Sequence, residues 1–281
     1  MDGRSLDWGA VGALQGIKNP IKAAECVLTS QTRQQPCGLI APNLLVGEGA
    51  RDYALSNGCV GCVASDLMTG NLGVFGVKCF DQRSKQTYCK YKRLLESEVN
   101  DKSDGFSVKQ RRLDTVGAIC VDWEGNVAAG ASSGGIHLKP SGRIGQAALM
   151  GCGVWAQKCM AIATTGAGEY LTKTMFAKEC ANQLLDTSDA NNLNALSKAF
   201  KEGFIDSPLL ENIAAEDRLA GVLALYHDKD SAHTELLWGH STHSMCCGYM
   251  SSSHSKPKAF VSQLPVGSKP GLHFKVEAIN E

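Results

Sequence analysis

Leu113-Asp114-Thr115-Val116-Gly117-Ala118 is the stretch where a polar, charged run gives way abruptly to an apolar strand. Upstream of it, Ser107-Val108-Lys109-Gln110-Arg111-Arg112 reads as an exposed loop. Downstream, Thr115-Val116-Gly117-Ala118-Ile119-Cys120-Val121 reads as a buried strand, closed by the turn Trp123-Glu124-Gly125-Asn126. A threonine that opens a core strand behind a cuttable loop invites one chemistry in particular. Cleavage of the Asp114–Thr115 bond would free a hydroxyl nucleophile whose own α-amine can act as its base. The uncut chain has no such amine.

Working outward, strands over 115–121 and 126–132 form a hairpin, and Ser133-Gly134-Gly135 ends the second strand in a tight corner. Beyond it the pattern predicts a strand near 159–164, a helix near 168–185, a polar helix near 190–202, and strands near 219–226, 235–240 and 245–251. Before the junction, residues 1–77 are glycine-rich with apolar pieces at Trp8–Leu14 and Leu44–Gly49. Helices are expected over about 16–28 and over Glu48–Asn57, the second stopped by Gly58. Residues 78–114 are dominated by charged and polar side chains, with a helical patch from Tyr88 to Val99, and read as a linker. Paired strands, then helices, then more strands argue for α+β layers rather than alternating βαβ units. The expected division is an alpha segment, 1–114, and a beta segment, 115–281, folding together as one domain.

Bulk composition narrows the function classes. A chain of 281 residues can bury a full core, and its 28 basic and 28 acidic side chains cancel, so no global field draws it to nucleic acid. No apolar run approaches the roughly 20 residues that cross a bilayer, and Met1-Asp2-Gly3-Arg4-Ser5 lacks a signal-peptide core. Twelve cysteines in so long a chain, several of them in apolar contexts such as Cys120, Cys152 and Cys180, read as reduced thiols of an intracellular protein.

Four short motifs carry the chemistry. Asp114-Thr115-Val116-Gly117-Ala118 offers the nucleophile, and Ser132-Ser133-Gly134-Gly135 a neighbouring hydroxyl with free backbone N–H groups. Gly142-Arg143-Ile144-Gly145-Gln146 holds an arginine in a glycine-framed turn, suited to a bidentate grip on a carboxylate. Thr164-Thr165-Gly166-Ala167-Gly168-Glu169 leads into a helix with a hydroxyl and an N–H that could hold an oxyanion.

In this order the motifs resemble those of the type 2 asparaginases, aspartylglucosaminidases and threonine aspartases, with Val46-Gly47-Glu48-Gly49-Ala50 extending the likeness into the first half. The resemblance implies the four-layer αββα sandwich of the N-terminal nucleophile hydrolases and a precursor that cuts itself before the threonine. It also implies that Thr115 is the nucleophile, Ser133 its supporting hydroxyl, Arg143 the carboxylate ligand, and Thr165 with Gly166 the oxyanion hole. Gly145 and Gln146 would complete the substrate pocket, and no cofactor or metal is called for.

Two departures choose among the members. Small-molecule asparaginases hold an aspartate at the place of Gln146, where it pairs with the substrate's charged α-amine. In an internal aspartyl residue that nitrogen is a neutral amide, so Gln146 favours a peptide substrate. Asp114 is itself the residue after which such an enzyme would cut. Both features favour the threonine aspartase branch, an endopeptidase that cleaves proteins after aspartate. By the same resemblance its substrates are transcription and chromatin regulators, its processed chains pair as a homodimer, and its place is nucleus and cytoplasm. A free-asparagine or isoaspartyl-peptide hydrolase, and an inactive form that acts by binding, are the alternatives. Relatives carry a further stretch before the position of Met1, so the chain is expected to lack the first strand of the family.

Plainer readings stand for the other motifs. Cys59-Val60-Gly61-Cys62 looks like half a zinc knuckle, but Cys79 and Cys89 do not repeat its spacing. His240-Ser241-Thr242-His243-Ser244 reads as a strand turn. Lys90-Tyr91-Lys92-Arg93 and Lys109-Gln110-Arg111-Arg112 suit a bipartite nuclear signal or a solvated linker equally well.

Overall fold

The structure is a computed structural model that describes residues 1–63, 66, 86, 89–93, 114–186, 191–231 and 233–280. Most of the linker read over 78–114 falls outside the described residues, as do the Lys109-Gln110-Arg111-Arg112 cluster and Cys79. Residues 89–93, within the patch read from Tyr88 to Val99, are helical.

The first half holds strand β1 (Ala10–Gly12), helix α1 (Pro20–Ser30), strand β2 (Leu44–Val46) and helix α2 (Gly47–Ser56). β1 and β2 pair in parallel with α1 between them in the chain, a βαβ unit where none was expected. α1 starts at Pro20 rather than near residue 16. Proline suits the first helical turn, where its missing N–H leaves nothing unbonded, and Gly16 is left-handed at φ 69°. α2 ends where the sequence indicates, with Gly58 at φ 82°.

After the junction, β3 (Val116–Val121) and β4 (Val127–Ser132) form the expected hairpin, with Val116 opposite Ser132 and Val121 opposite Val127. The Asp122 carboxylate fixes its turn by accepting from the backbone N–H groups of Glu124 and Asn126 at 2.9 and 2.8 Å. The other edge of β4 is lined by the start of the chain. Asp2 bridges Ala128, Gly3 N donates to Val127 O at 2.8 Å, and the Met1 ammonium donates to Ala129 O at 2.8 Å. The strand expected to be buried is largely not, and Val116 is 66 % exposed. The reason is positional: Gly117 faces Ala163 of β6, so Val116, Ala118 and Cys120 point to the other face, where α1 packs over β4 rather than over β3.

A second sheet contains β5 (Val154–Gln157), β6 (Met160–Gly166), β7 (Ala220–Asp228), β8 (His233–His240) and, past an outlying hairpin of β9 (Ser244–Tyr249) and β10 (Lys258–Gln263), β11 (Lys275–Asn280). Its order is β11-β8-β7-β6-β5, antiparallel throughout. Alternation along β6 decides which layer each residue meets. Met160 and Ile162 enter the main core with Leu171, Phe176, Phe200 and Phe204, whereas Ala161 on the opposite face packs with Val127 and Ala129 of the hairpin. At Gly117 the two sheets come closest to touching: a β-carbon added there would lie 2.6 Å from that of Ala163. On the far side of the hairpin α1 lies over β4, with Ile21 Cδ1 3.7 Å from the corresponding point on Gly130. Helix, sheet, sheet, helix is the αββα sandwich.

The helical layer corrects two sequence readings. The helix expected over 168–185 is two, α3 (Gly168–Lys173) and α4 (Phe176–Leu185), broken at Met175 with φ 46°. That turn seats Phe176 in the core and lets Lys178 N reach Gly151 O at 2.8 Å. The polar helix near 190–202 is α5 (Asn192–Lys198) running into a π-helix, Ala199–Ile205. Its inner face is apolar: Leu196, Phe200 and Phe204 are fully buried, and the Phe176 ring meets those of Phe200 and Phe204 at 5.0 and 4.9 Å.

Candidate active site

The hairpin register that pairs Val116 with Ser132 also sets the residues just beyond, Thr115 and Ser133, beside one another. Thr115 Oγ1 donates to Ser133 Oγ at 3.0 Å, and Ser133 Oγ donates in turn to Asp114 Oδ1 at 3.3 Å. Gly135 N donates to the same Ser133 oxygen at 3.0 Å. The Thr115 and Ser133 hydroxyls and the Asp114 carboxylate before the junction thus form one continuous chain of hydrogen bonds. Gly134 makes room for it, since a β-carbon there would stand 2.8 Å from Asp114 Oδ2.

Gln146 meets this relay from another side. It is 2 % exposed, sits on the turn Gln146–Ala148, and its Nε2 donates to Thr115 Oγ1 at 3.3 Å. Sequence reasoning assigned Gln146 to the substrate; in the structure its amide bonds Thr115. The Arg143 guanidinium lies next to it, and a β-carbon at Gly168 would fall 2.5 Å from Gln146 Oε1 and 3.0 Å from Arg143 Nη2. Gly145 clears the other flank, where a β-carbon would lie 2.9 Å from Arg143 Nη1. The glycine framing seen in the sequence therefore has a steric purpose: it lets a guanidinium and an amide pack where no side chain could intervene.

Arg143 is itself held. Its Nε donates to Glu169 Oε1 at 2.7 Å, and Nη2 lies 2.6 Å from the same oxygen. Glu169, at the start of α3, belongs to the fourth motif but was given no role from sequence. No spacing rule links it to Arg143, because only the turn after β6 brings the two together. Lys139 was also missed. Its Nζ donates to Gly134 O, and it shares with Arg143 Nη1 the space over Gly135, which takes φ 86°.

Thr165 and Gly166 close β6, with Gly166 opposite Ala220 at φ 143°. Among the described residues no hydrogen bond joins Thr165 to Thr115. The two are linked through the layers: Gly117, two residues after Thr115, abuts Ala163, two residues before Thr165. Ser133, Arg143, Gly145 and Lys139 line a cleft of about 1280 Å³, together with Ile21 and Glu25 of α1 and Glu48 and Arg51 of α2. That volume exceeds the roughly 300–1,000 Å³ of most small-molecule pockets. Thr115 and Gln146 are not among the residues that line it; Thr115 adjoins the cleft through its bond to Ser133.

The cysteines read as reduced are free thiols in the structure, among them Cys26, Cys59, Cys62, Cys152 and Cys180. Burial pushes the Cys180 thiol well above its ordinary range. At the other end of the chain, His240 through Ser244 forms the turn between β8 and β9, as read from sequence. The His240 ring nitrogens meet the Thr242 carbonyl at 2.8 Å and Ser262 Oγ at 3.1 Å, which gives that residue a structural employment away from the cleft.

Comparison with known proteins agrees with this arrangement. A family model described as asparaginase matches residues 1–257. An isoaspartyl peptidase/L-asparaginase of Xenopus laevis is 35 % identical over 179 residues, which is 63 % of this chain and 48 % of the relative. The human protein of the same name is 34 % identical over 179 residues, 63 % of this chain and 49 % of its own length. An isoaspartyl peptidase of Escherichia coli is 26 % identical over 238 residues, 83 % of this chain and 63 % of the relative. The chain spans between about half and just under two thirds of the length of the curated relatives it matches. With the layer order, the threonine–serine–arginine constellation and a family model running over nearly the whole sequence in agreement, this chain belongs to the type 2 asparaginase family of N-terminal nucleophile hydrolases.

Proposed function

We propose that the chain is a self-cleaving threonine hydrolase that breaks the carbonyl bond of an aspartyl group, and that its substrate is an internal aspartyl residue of a protein. The observation that carries the reading is the relay from Thr115 through Ser133 to Asp114. In the uncut chain the Thr115 nitrogen is an amide and cannot take a proton, so the Asp114 carboxylate is the acceptor for the first event. The hydroxyl proton passes to Ser133, the Ser133 proton passes to Asp114, and Thr115 Oγ1 attacks the Asp114 carbonyl carbon. The C–N bond breaks as the nitrogen takes up a proton, leaving an ester that water hydrolyses. Thereafter the freed α-amine, with an unperturbed pKa of about 7.7–8.0, acts as the base for substrates. Arg143 binds the substrate aspartate's carboxylate, and Thr165 with the Gly166 N–H stabilises the oxyanion, a donor whose loss costs about 2.7–4 kcal/mol in comparable sites.

A second reading has its own support. The relatives' names favour hydrolysis of isoaspartyl peptides or L-asparagine. Gln146 supports the first reading, because its neutral amide is already engaged with Thr115 and offers no anion to a substrate's α-ammonium. The test is intact mass and gel analysis of the purified chain over several days, beside Thr115→Ala. Fragments of 114 and 167 residues in the wild type alone are expected; a cut in Thr115→Ala, or none in the wild type, refutes self-cleavage. The processed protein is then offered a peptide spanning residues 108–118, a β-aspartyl dipeptide and L-asparagine. Turnover of the small molecules with the peptide left intact would establish the second reading instead.

A further inference from the structure

We infer that Gln146 is a catalytic group that sets the direction of proton flow in the relay. The inference rests on the reading of Thr115 as nucleophile. A threonine hydroxyl has one proton and two lone pairs. Gln146 Nε2 occupies one lone pair of Thr115 Oγ1 at 3.3 Å, and the Thr115 proton points to Ser133 at 3.0 Å. Ser133 accepts a second donor, the Gly135 N–H, so its own proton is free to point only to Asp114 Oδ1. Every bond from Gln146 to Asp114 therefore runs the same way, and the amide stands at the head of the line.

Three features fix the amide with its nitrogen toward the nucleophile. The side chain is buried and cannot turn into solvent. Its backbone is pinned, since the Gln146 carbonyl accepts from Leu149 N at 2.9 Å and lies 2.4 Å from where a Gly153 β-carbon would stand. Its Oε1 is turned toward Gly168, 2.5 Å from where a β-carbon there would stand, and a flipped amide would instead turn an acceptor to the Thr115 hydroxyl. An acid at this position reverses the logic. A carboxylate accepts from the Thr115 hydroxyl and draws the proton away from Ser133.

The experiment compares self-cleavage of the wild type with Gln146→Glu, which replaces the donor by an acceptor, and Gln146→Met, which removes the donor at similar volume. Circular dichroism establishes that each variant is folded. Both are expected to cut about ten- to a hundredfold more slowly, the penalty of one misdirected or missing bond to a reacting atom. In turnover the loss is expected in kcat with KM within about twofold, whereas Arg143→Lys raises KM. Cutting at the wild-type rate, or a loss confined to KM, overturns the inference. A separate readout does not depend on cleavage. The Gln146 side-chain NH₂ resonances, assigned by their absence in Gln146→Glu, should move upfield and exchange faster in Thr115→Val. Unchanged resonances overturn the inference whether or not the chain cuts, whereas a wild type that never cuts while these resonances respond defeats self-cleavage and leaves the hydrogen-bond assignment standing.

Discussion

Gly117→Ala tests the closeness of the two sheets, on which the position of Thr115 depends. The added methyl would meet the Ala163 β-carbon at 2.6 Å, about 1 Å inside an ordinary carbon–carbon contact. Neither partner can swing aside, because a β-carbon is fixed by the backbone, so β3 and β6 must part locally. Overpacking of this kind costs about 1–3 kcal/mol. With a Tm change of about 2–4 °C per kcal/mol for a chain of this size, the melting point should fall by roughly 2–12 °C. The catalytic effect should be larger than the thermal one. Thr115 lies two residues away, and a 1 Å misplacement of a reacting group costs about a hundredfold in rate. Scanning calorimetry and timed gels of self-cleavage provide the two readouts. Gly130→Ala is the control: it is the same change in the same hairpin, but its methyl meets nothing nearer than Ile21 Cδ1 at 3.7 Å. Ala163→Gly should cost about 1–2 kcal/mol alone, through a lost methyl and a glycine in a strand. Combined with Gly117→Ala it should restore much of both properties, with a coupling energy of about 1–2 kcal/mol. A Gly117→Ala chain that melts and cuts like the wild type, or a Gly130→Ala chain damaged equally, refutes the reasoning.

Two more outcomes bear on the cleft and on the core. Glu169→Gln removes the charge that holds Arg143 and should raise KM for the aspartyl peptide about tenfold with kcat little changed; steady-state kinetics showing the reverse would remove Glu169 from substrate positioning. Burial holds the His240 imidazole below its ordinary value of 6.5, opposed by the Thr242 carbonyl and Glu277 and assisted by Lys275. The unfolded chain then takes up a proton first, so stability is full above about pH 6.5 and declines as the pH falls through that value, levelling below the folded pKa. Melting points from pH 7.5 to 5.5 should fall more steeply for the wild type than for His240→Gln, and equal slopes would exclude the histidine as the cause.

The site was more legible than the layers around it. Thr115 and Ser133 could be placed together because a hairpin turn at 122–126 leaves little freedom of register, and the glycines around Arg143 carry a steric meaning that composition alone conveys. Gln146 was placed at the site by its motif, but its bond to Thr115 was not read, since nothing in a sequence says which end of an amide faces a hydroxyl. The break at Met175 had no local signal: a left-handed methionine is held by the burial of Phe176 and by the Lys178 bond to Gly151, both tertiary effects. The helix beyond residue 190 looked polar because its lysines and asparagines outnumber the phenylalanines that bury its inner face. β10 and β11, which pair with β9 and β8, were missed because Lys258–Gln263 and Lys275–Asn280 mix charged and polar residues with apolar runs of two or three.

The lacing of Met1–Gly3 along β4, with α1 lying over the same strand, has a consequence for what the proposed self-cleavage would leave behind. Severing the backbone at Asp114 would not release the two pieces, because each holds up the other's sheet. The native state is then reached by one molecule but, once lost, can be regained only by two that must find each other. Heating the uncut form should be reversible and independent of concentration, while the cut form should hold its shape only by the height of its unfolding barrier. The cut would act as a ratchet, after which the order in which folding and scission occurred can no longer be reversed.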